Sequence, residues 1–333
     1  MILITFGTRQ EWIKIKPILE TINGKIPFKV LCIGQHGPLI DSSIKQYQVS
    51  YLKLNNSSNR LDSIVTSILS EFDKYSNGIT HVMVQGDTTY AFGLALAAFN
   101  RKIKIVHLEA GARSWNKDNP YPEEFNRISV AAMTDIHLCT TRQNKDNLRY
   151  TMSHNSKAYV VGNTMLDNLI NEKPSISNTI LVVMNNKENL PILDQWFNSI
   201  NNLAINNPLF EFVFPMNLNP EIQKHKHILK NVKVMNPLTY EQQKNYLSTC
   251  GLLITDNINL QEEVAFLKKK SILCGTINEW VEGEYIFAYI CQIPDMLQDV
   301  FNSIKIELVN SHCPYGDGKA SKKIFEILET WCA

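Results

Sequence analysis

Four segments of this 333-residue chain set a charged or polar side chain beside a glycine directly after an apolar run. They are Gly7-Thr8-Arg9, Gly34-Gln35-His36, Gln85-Gly86-Asp87-Thr88-Thr89 and Glu109-Ala110-Gly111-Ala112-Arg113. The loop Pro120-Tyr121-Pro122-Glu123-Glu124-Phe125-Asn126-Arg127 adds two carboxylates and an arginine on an entry stiffened by proline. Carboxylates that give and take protons, set among guanidiniums that hold negative charge, suit acid–base work on an anionic substrate. Each segment alone also has a plainer reading. An Asp after a strand often caps the next helix, which would account for Asp87. Glutamates in a first helical turn sit well against the helix dipole, which would account for Glu123 and Glu124. Recurrence at successive strand ends is what favours chemistry.

The apolar runs predict the scaffold that must position these groups. Ile2–Phe6, Phe28–Ile33, His81–Val84, Lys104–Leu108, Ile136–Cys139 and Tyr159–Val161 are short and rich in β-branched residues. Runs of this kind suit parallel strands covered on both faces. Between them Glu11–Ile22, Leu61–Tyr75 and Thr89–Phe99 have helical period, and a further helix runs through Ile128–Met133. Right-handed crossovers then give a doubly wound parallel sheet. After a polar stretch, Asn171–Asn178, the pattern repeats with strands at Ile180–Met184, Phe210–Phe214, Val232–Met235, Leu252–Thr255 and Ser271–Cys274. Helices near Pro191–Asn202, Tyr240–Ser248 and Leu260–Leu267 separate them.

A chain of 333 residues holds two domains at roughly 150 residues each. The expected fold class is α/β, with two Rossmann-like doubly wound domains facing a cleft. Their expected bounds are residues 1–170 and 178–315, followed by a terminal helix within 319–333 that could pack back on the first domain. In open α/β sheets ligands bind beyond the carboxyl ends of the strands, which is where the reactive segments fall.

Composition narrows the function classes. Lys plus Arg number 33 and Asp plus Glu 32, so the chain lacks the basic excess of a protein held to nucleic acid by charge. No apolar run approaches the ~18 residues that span a bilayer. The first residues lack the basic region of a signal peptide, so the expected location is the cytoplasm. Seven scattered cysteines without C-x-x-C spacing predict reduced thiols, with neither a disulfide scaffold nor a zinc site. No G-x-G-x-x-G follows the first strand, so no dinucleotide cofactor is expected. Gly318-Lys319 lacks the upstream glycine and the following Ser or Thr of a P-loop, and neither a G-x-S-x-G elbow nor an H-E-x-x-H pair occurs.

The order and spacing of the segments carry a resemblance. Gly7-Thr8-Arg9, Gly34-Gln35-His36, Gly86-Asp87-Thr88-Thr89, His107-Leu108-Glu109-Ala110-Gly111-Ala112-Arg113 and Pro122-Glu123-Glu124-Phe125-Asn126-Arg127 come first. Gly162-Asn163-Thr164, Thr255-Asp256, Gln261-Glu262-Glu263 and Pro314-Tyr315-Gly316-Asp317-Gly318-Lys319-Ala320-Ser321 follow. The series resembles the non-hydrolysing UDP-N-acetylglucosamine 2-epimerases. That resemblance implies two domains of glycosyltransferase-B type, the second binding the nucleotide. It also implies a cytoplasmic enzyme with no cofactor or metal, usually a homodimer, that interconverts UDP-GlcNAc and UDP-ManNAc. Carbon 2 of the sugar bears no acidic proton, so inversion is expected to eliminate UDP across C1–C2 and add it back.

By the same resemblance Asp87, Glu109 and Glu123 are the acid–base groups. Arg9 and Arg113 face the diphosphate or sugar, Arg127 supports the loop, and Glu263 binds the ribose hydroxyls. Lys14, Asn185, Lys187, Asn257 and Asn259 fall at substrate or nucleotide positions. Gln35 and His36 match a regulatory region of the family.

The second half departs from the family pattern. Met184-Asn185-Asn186-Lys187-Glu188-Asn189 stands where members carry Gly-His-Arg-Arg-Glu-Asn, so a histidine becomes Asn185. A second family histidine is Asn217, and a Ser-Gly-Gly nest that would cradle phosphate is Asn257-Ile258-Asn259. A loop with an arginine is replaced by Ile277-Asn278-Glu279-Trp280-Val281-Glu282. Weaker UDP binding is expected, because Ile258 resists the positive φ of a nest. Asn185 could instead cap a helix starting near Asn189. The alternatives to an epimerase are a hydrolysing epimerase or glycosyltransferase on the same scaffold, and a catalytically weak homologue with a binding or assembly role.

Overall fold

The structure is a computed structural model and describes residues 1–34, 42–55, 57–275 and 281–332. The chain divides into two units, one of Met1–Asn168 with Gly316–Ala333 and one of Leu169–Tyr315.

The first unit alternates strand and helix. Its elements are β1 (Ile2–Phe6), α1 (Arg9–Ile22), β2 (Phe28–Ile33), β3 (Val49–Leu52), α2 (Arg60–Glu71), α3 (Asp73–Ser76) and β4 (His81–Gln85). Then follow α4 (Thr89–Asn100), β5 (Lys104–Ala110), α5 (Glu123–Met133), β6 (Ile136–Cys139), α6 (Arg142–Asn147) and β7 (Lys157–Val160). Among the described residues the sheet has the order β3-β2-β1-β4-β5-β6-β7, with its pairs parallel. All five side chains of β1 are buried, as a central strand covered on both faces requires. The strand order reverses between β1 and β4, which opens a switch point at their carboxyl ends.

α1 begins at a reciprocal capping box, in which Thr8 accepts from Glu11 N–H and the Glu11 carboxylate reaches back to Thr8 N–H. Pro17 lies inside that helix. It has no N–H to give to Ile13, and the Ile13 carbonyl is met by Asn168 Nδ2 at 3.1 Å. The last helix, α12 (Ala320–Cys332), also belongs to this unit. Its Ile324 and Leu328 share a core with Trp12, Ile15 and Ile18, and its first amides, Ala320 and Ser321, donate to Asp167 at 3.0 and 2.7 Å.

The second unit repeats the plan with β8 (Thr179–Val183), α7 (Leu193–Asn206), β9 (Glu211–Pro215), α8 (Pro220–Gln223) and β10 (Lys233–Met235). α9 (Tyr240–Thr249), β11 (Leu252–Thr255), α10 (Ile258–Phe266), β12 (Lys270–Cys274), β13 (Ala288–Cys291) and α11 (Leu297–Ser303) complete it. Its sheet order is β10-β9-β8-β11-β12-β13, again parallel, with the reversal between β8 and β11. Trp196, Phe197, Ile200 and Leu203 form the buried stripe of α7 at helical spacing. Removing a core ring such as Trp196 would cost about 3–5 kcal/mol.

Both units are thus doubly wound parallel-sheet α/β structures. The sequence reading omits β3 and β13, four-residue edge strands with half-exposed positions that give no continuous apolar run. It also ends β5 at Leu108, two residues early.

Candidate active site

The switch point of the first unit gathers charge from four elements. Asp87 follows β4, but it does not cap α4. That cap is Thr88, whose hydroxyl accepts from Ala91 N–H at 3.3 Å. The Asp87 carboxylate is turned instead to α5, where Arg127 Nε and Nη2 each lie 2.8 Å from Oδ2. Asn126 Nδ2 donates to the Asp87 carbonyl at 2.8 Å. The strand-end aspartate is therefore clamped by the helix that the proline loop introduces.

Glu109 sits at an irregularity in the β5–β6 register between Leu108 and Ala110, with φ of +60°. A left-handed non-glycine residue costs of order 1–3 kcal/mol and persists only where the surroundings hold it. Here Lys14 from α1 makes an ion pair with Oε1, and Gln85 Nε2 donates to Oε2 at 2.9 Å. The turn that follows is closely packed. A side chain on Gly111 (φ +95°) would place Cβ 2.0 Å from the Asn144 carbonyl oxygen, so only glycine fits.

The two glutamates of the proline loop part company because successive helical residues point about 100° apart. Glu123 is half-buried at the start of α5. Glu124 is wholly buried and accepts from Ser114 and Trp115 N–H at 2.9 and 3.0 Å and from Arg127 Nη1 at 3.1 Å. The plainer reading of this pair as a solvated first turn fails for Glu124.

Arg113 is buried, donating to the Ala112 carbonyl and to Thr151 Oγ1 at 2.7 and 2.8 Å. Burial is the main cause that lowers it to about 10. Arg9 is exposed at the start of α1. Gln35 and His36 lie outside the described residues.

Several groups at this point escape sequence reading. Glu11 is buried beside the Gly7-Thr8 turn, accepting both N–H groups. Burial pushes it up to about 7 against those hydrogen bonds, with the Asp87 charge adding to the rise. The capping-box spacing Thr8-x-x-Glu11 is a signal for its contact but not for its neighbour. His107 gives Nε2–H to the Gly86 carbonyl at 2.8 Å, and burial first of all holds it down to about 4. Its ring lies 6.4 Å from that of His137, centroid to centroid, which burial lowers to about 3. Both imidazoles are neutral at pH 7.

The equivalent point of the second unit is built from amides. Asp256, after β11, accepts from Asn185 and Asn186 N–H at 2.8 and 3.0 Å and from Asn189 Nδ2 at 3.2 Å. Burial raises its pKa, and those hydrogen bonds oppose the rise. Asn185 and Lys187 are exposed. Asn185 is not a cap, since the following turn spans Lys187–Ile192 and has Asn186 at its start. Asn257 caps α10, its side chain accepting from Asn259 N–H at 3.0 Å.

Ile258 and Asn259 are ordinary first-turn helical residues, neither at positive φ, so no nest forms there. Glu263 is almost wholly buried in α10, two residues after Gln261, which donates to Tyr315 Oη at 2.9 Å. The loop 276–280 lies outside the described residues, and Glu282 is half-buried. Among the described residues no three His, Cys, Asp or Glu side chains could hold a metal ion, and no helix is long and apolar enough to cross a membrane.

Comparison with known proteins identifies the family. A family model described as UDP-N-acetylglucosamine 2-epimerase matches residues 21–329. The UDP-N-acetylglucosamine 2-epimerase of Campylobacter jejuni is 31% identical over 98% of this chain and 97% of its own. That of Salmonella borreze is 30% identical with the same coverage. Among solved structures, UDP-GlcNAc 2-epimerase from Neisseria meningitidis bound to UDP-GlcNAc aligns at a TM-score of 0.89, with 27% identity over 99% of both chains. Acinetobacter baumannii MurG aligns at 0.60 with 11% identity, a likeness of fold alone. The chain belongs to the UDP-N-acetylglucosamine 2-epimerase family.

Proposed function

We propose that this protein is an isomerase that inverts carbon 2 of UDP-GlcNAc to give UDP-ManNAc, without net hydrolysis. The observation that carries the reading is the meeting of Asp87, Glu109, Lys14 and Arg127 at one switch point, in a chain of this family. In the first half-reaction a carboxylate takes the proton from C2 while the C1–O bond breaks. Its electron pair leaves on UDP, and a C1=C2 double bond forms. In the second half a carboxylic acid returns a proton to the opposite face of C2, and a UDP oxygen re-forms the bond to C1. Two carboxylates on opposite sides of the sugar meet this need, with cations to hold the diphosphate between the halves.

Asp87, Glu109 and Glu123 are the groups for that work. Arg9 and Arg113 would contact the diphosphate or sugar, and Lys14 would reach substrate from its place beside Glu109. In the second unit, taken as the nucleotide-binding domain, Asn185, Lys187, Asn257, Asn259 and Glu263 would contact UDP. The protein acts as a cytoplasmic homodimer in this reading. Exposed Phe99 and Phe125, on α4 and α5, support a covered face there.

Incubation with UDP-GlcNAc in deuterated water tests the function. UDP-sugar carrying deuterium at C2 is expected. Free sugar plus UDP would replace the reading by a hydrolase, and an unchanged substrate would remove it. Light scattering should give twice the 38.1 kDa chain mass.

A further inference from the structure

Arg127 presents three of its nitrogens to two different carboxylates. Nε and Nη2 lie 2.8 Å from Asp87 Oδ2, while Nη1 donates to Glu124 Oε2 at 3.1 Å. A guanidinium is planar, so fixing Nη1 fixes the direction of the edge that faces Asp87. Glu124 is itself fixed from the other side. Its Oε1 takes Trp115 N–H at 3.0 Å, and its Oε2 takes Ser114 N–H at 2.9 Å as well as the arginine. Three donors and complete burial leave this carboxylate one position, and no atom of it reaches the mouth of the switch point.

We propose that Glu124 is a positioning residue for the epimerisation: it locks the Arg127 guanidinium, and through it the Asp87 carboxylate, in the orientation that acts on the sugar. The proposal rests on reading Asp87 as an acid–base group. Reacting groups displaced by about 1 Å can lose ~10² in rate, so the tether bears on turnover rather than on substrate affinity.

Steady-state kinetics on Glu124→Gln, Arg127→Lys, their double variant and Asp87→Asn test it, with thermal unfolding as the check on folding. Glu124→Gln is expected to lower kcat roughly 10- to 100-fold with KM for UDP-GlcNAc within about threefold. In the Arg127→Lys background the same change should cost no more than about threefold further, because the path it acts through is already broken. If Gln at this buried position is not tolerated, Glu124→Asp keeps the charge on a stem one methylene shorter and enters the same cycle.

A wild-type kcat in Glu124→Gln, or an equal loss in both backgrounds, overturns the proposal. An impaired Asp87→Asn beside an unimpaired Glu124→Gln overturns it alone. Full turnover in Asp87→Asn overturns the reading of Asp87 and the proposal with it.

Discussion

The two units solve the same topological problem with different chemistry. Each sheet reverses its strand order beside its first strand, and each reversal is followed by an aspartate, Asp87 after β4 and Asp256 after β11. Asp256 is spent on closure. Its oxygens hold the backbone amides of Asn185 and Asn186 and the side chain of Asn189, so the loops after β8 and β11 are tied by one anion among neutral donors. Asp87 is held by a cation, and the amides after β1 are held by another carboxylate, Glu11. Closure of the strand-end loops thus falls to Glu11 in the first unit and to the strand-end aspartate itself in the second, which leaves Asp87 a different partner. A strand-end aspartate is informative about chemistry only once its partner is known.

The sharpest way to break this contrast is to neutralise both sites. Asp87→Asn should lower kcat by ~10² or more while leaving thermal unfolding near wild type. Glu109→Gln should lower kcat as far but also cost stability, because it takes the ionic partner from buried Lys14. Asp256→Asn should do the reverse of Asp87→Asn. Losing charge-assisted bonds from two amides costs about 2 kcal/mol, or roughly 4–8 °C in Tm, with kcat at saturating substrate within about tenfold. An Asp256→Asn protein as inactive as Asp87→Asn, and equally stable, would erase the distinction.

Acid titration of stability sharpens it further, because the buried imidazoles belong to the first unit. His107 and His137 are held down to about 4 and about 3 from 6.5, so below pH 6.5 the unfolded chain binds more protons than the folded one. Stability from each is full above pH 6.5 and is lost as pH falls, with a slope approaching ~1.4 kcal/mol per pH unit. Glu11, raised from 4.5 to about 7, has the opposite sign. Its contribution is full below pH 4.5 and is lost as pH rises towards 7. Between pH 6.5 and 4.5 the three groups therefore leave a net uptake of about one proton on unfolding. Replacing His137 by Leu should flatten the acid limb of urea-measured stability by about one proton. An unchanged slope would mean that His137 is not neutral in the folded chain.

The smallest effect expected is at Asn185, whose backbone, not its side chain, is committed to Asp256. Asn185→His should strengthen UDP binding a few-fold, more at pH 6 than at pH 8, since only the protonated ring adds charge near its ordinary value of ~6.5. Calorimetry that finds equal affinity at both pH values removes Asn185 from the diphosphate.

Legibility followed the same line. Glu109 and Asp87 stand out in sequence because glycines and apolar strands frame them, and both lie at the switch point. The partners of Asp87 and of Glu124 do not stand out, because they lie some forty and ten residues away in the chain and no local pattern records them. Glu11 looks like an ordinary capping-box residue until the fold brings Asp87 beside it. The Asn257-Ile258-Asn259 segment shows the opposite limit. It reads as a degraded phosphate nest, yet its backbone is plain helix with an Asx cap. The short edge strands β3 and β13 carry too few buried side chains to leave a pattern at all.

The return of α12 to the first unit fixes the order in which this protein can be finished. The apolar face of α1 is sealed by Ile324 and Leu328, residues that follow the whole of Leu169–Tyr315 in the chain. At a synthesis rate of about 5–20 residues per second, that interval keeps the ribosome occupied for roughly 7–30 seconds. Throughout it Trp12, Ile15 and Ile18 are present in the emerging chain without their cover. The second unit, encoded in one stretch, can close first. The unit that carries Asp87 and Glu109 is begun first and completed last, so a chain stalled before Ala320 holds both carboxylates above an unsealed core.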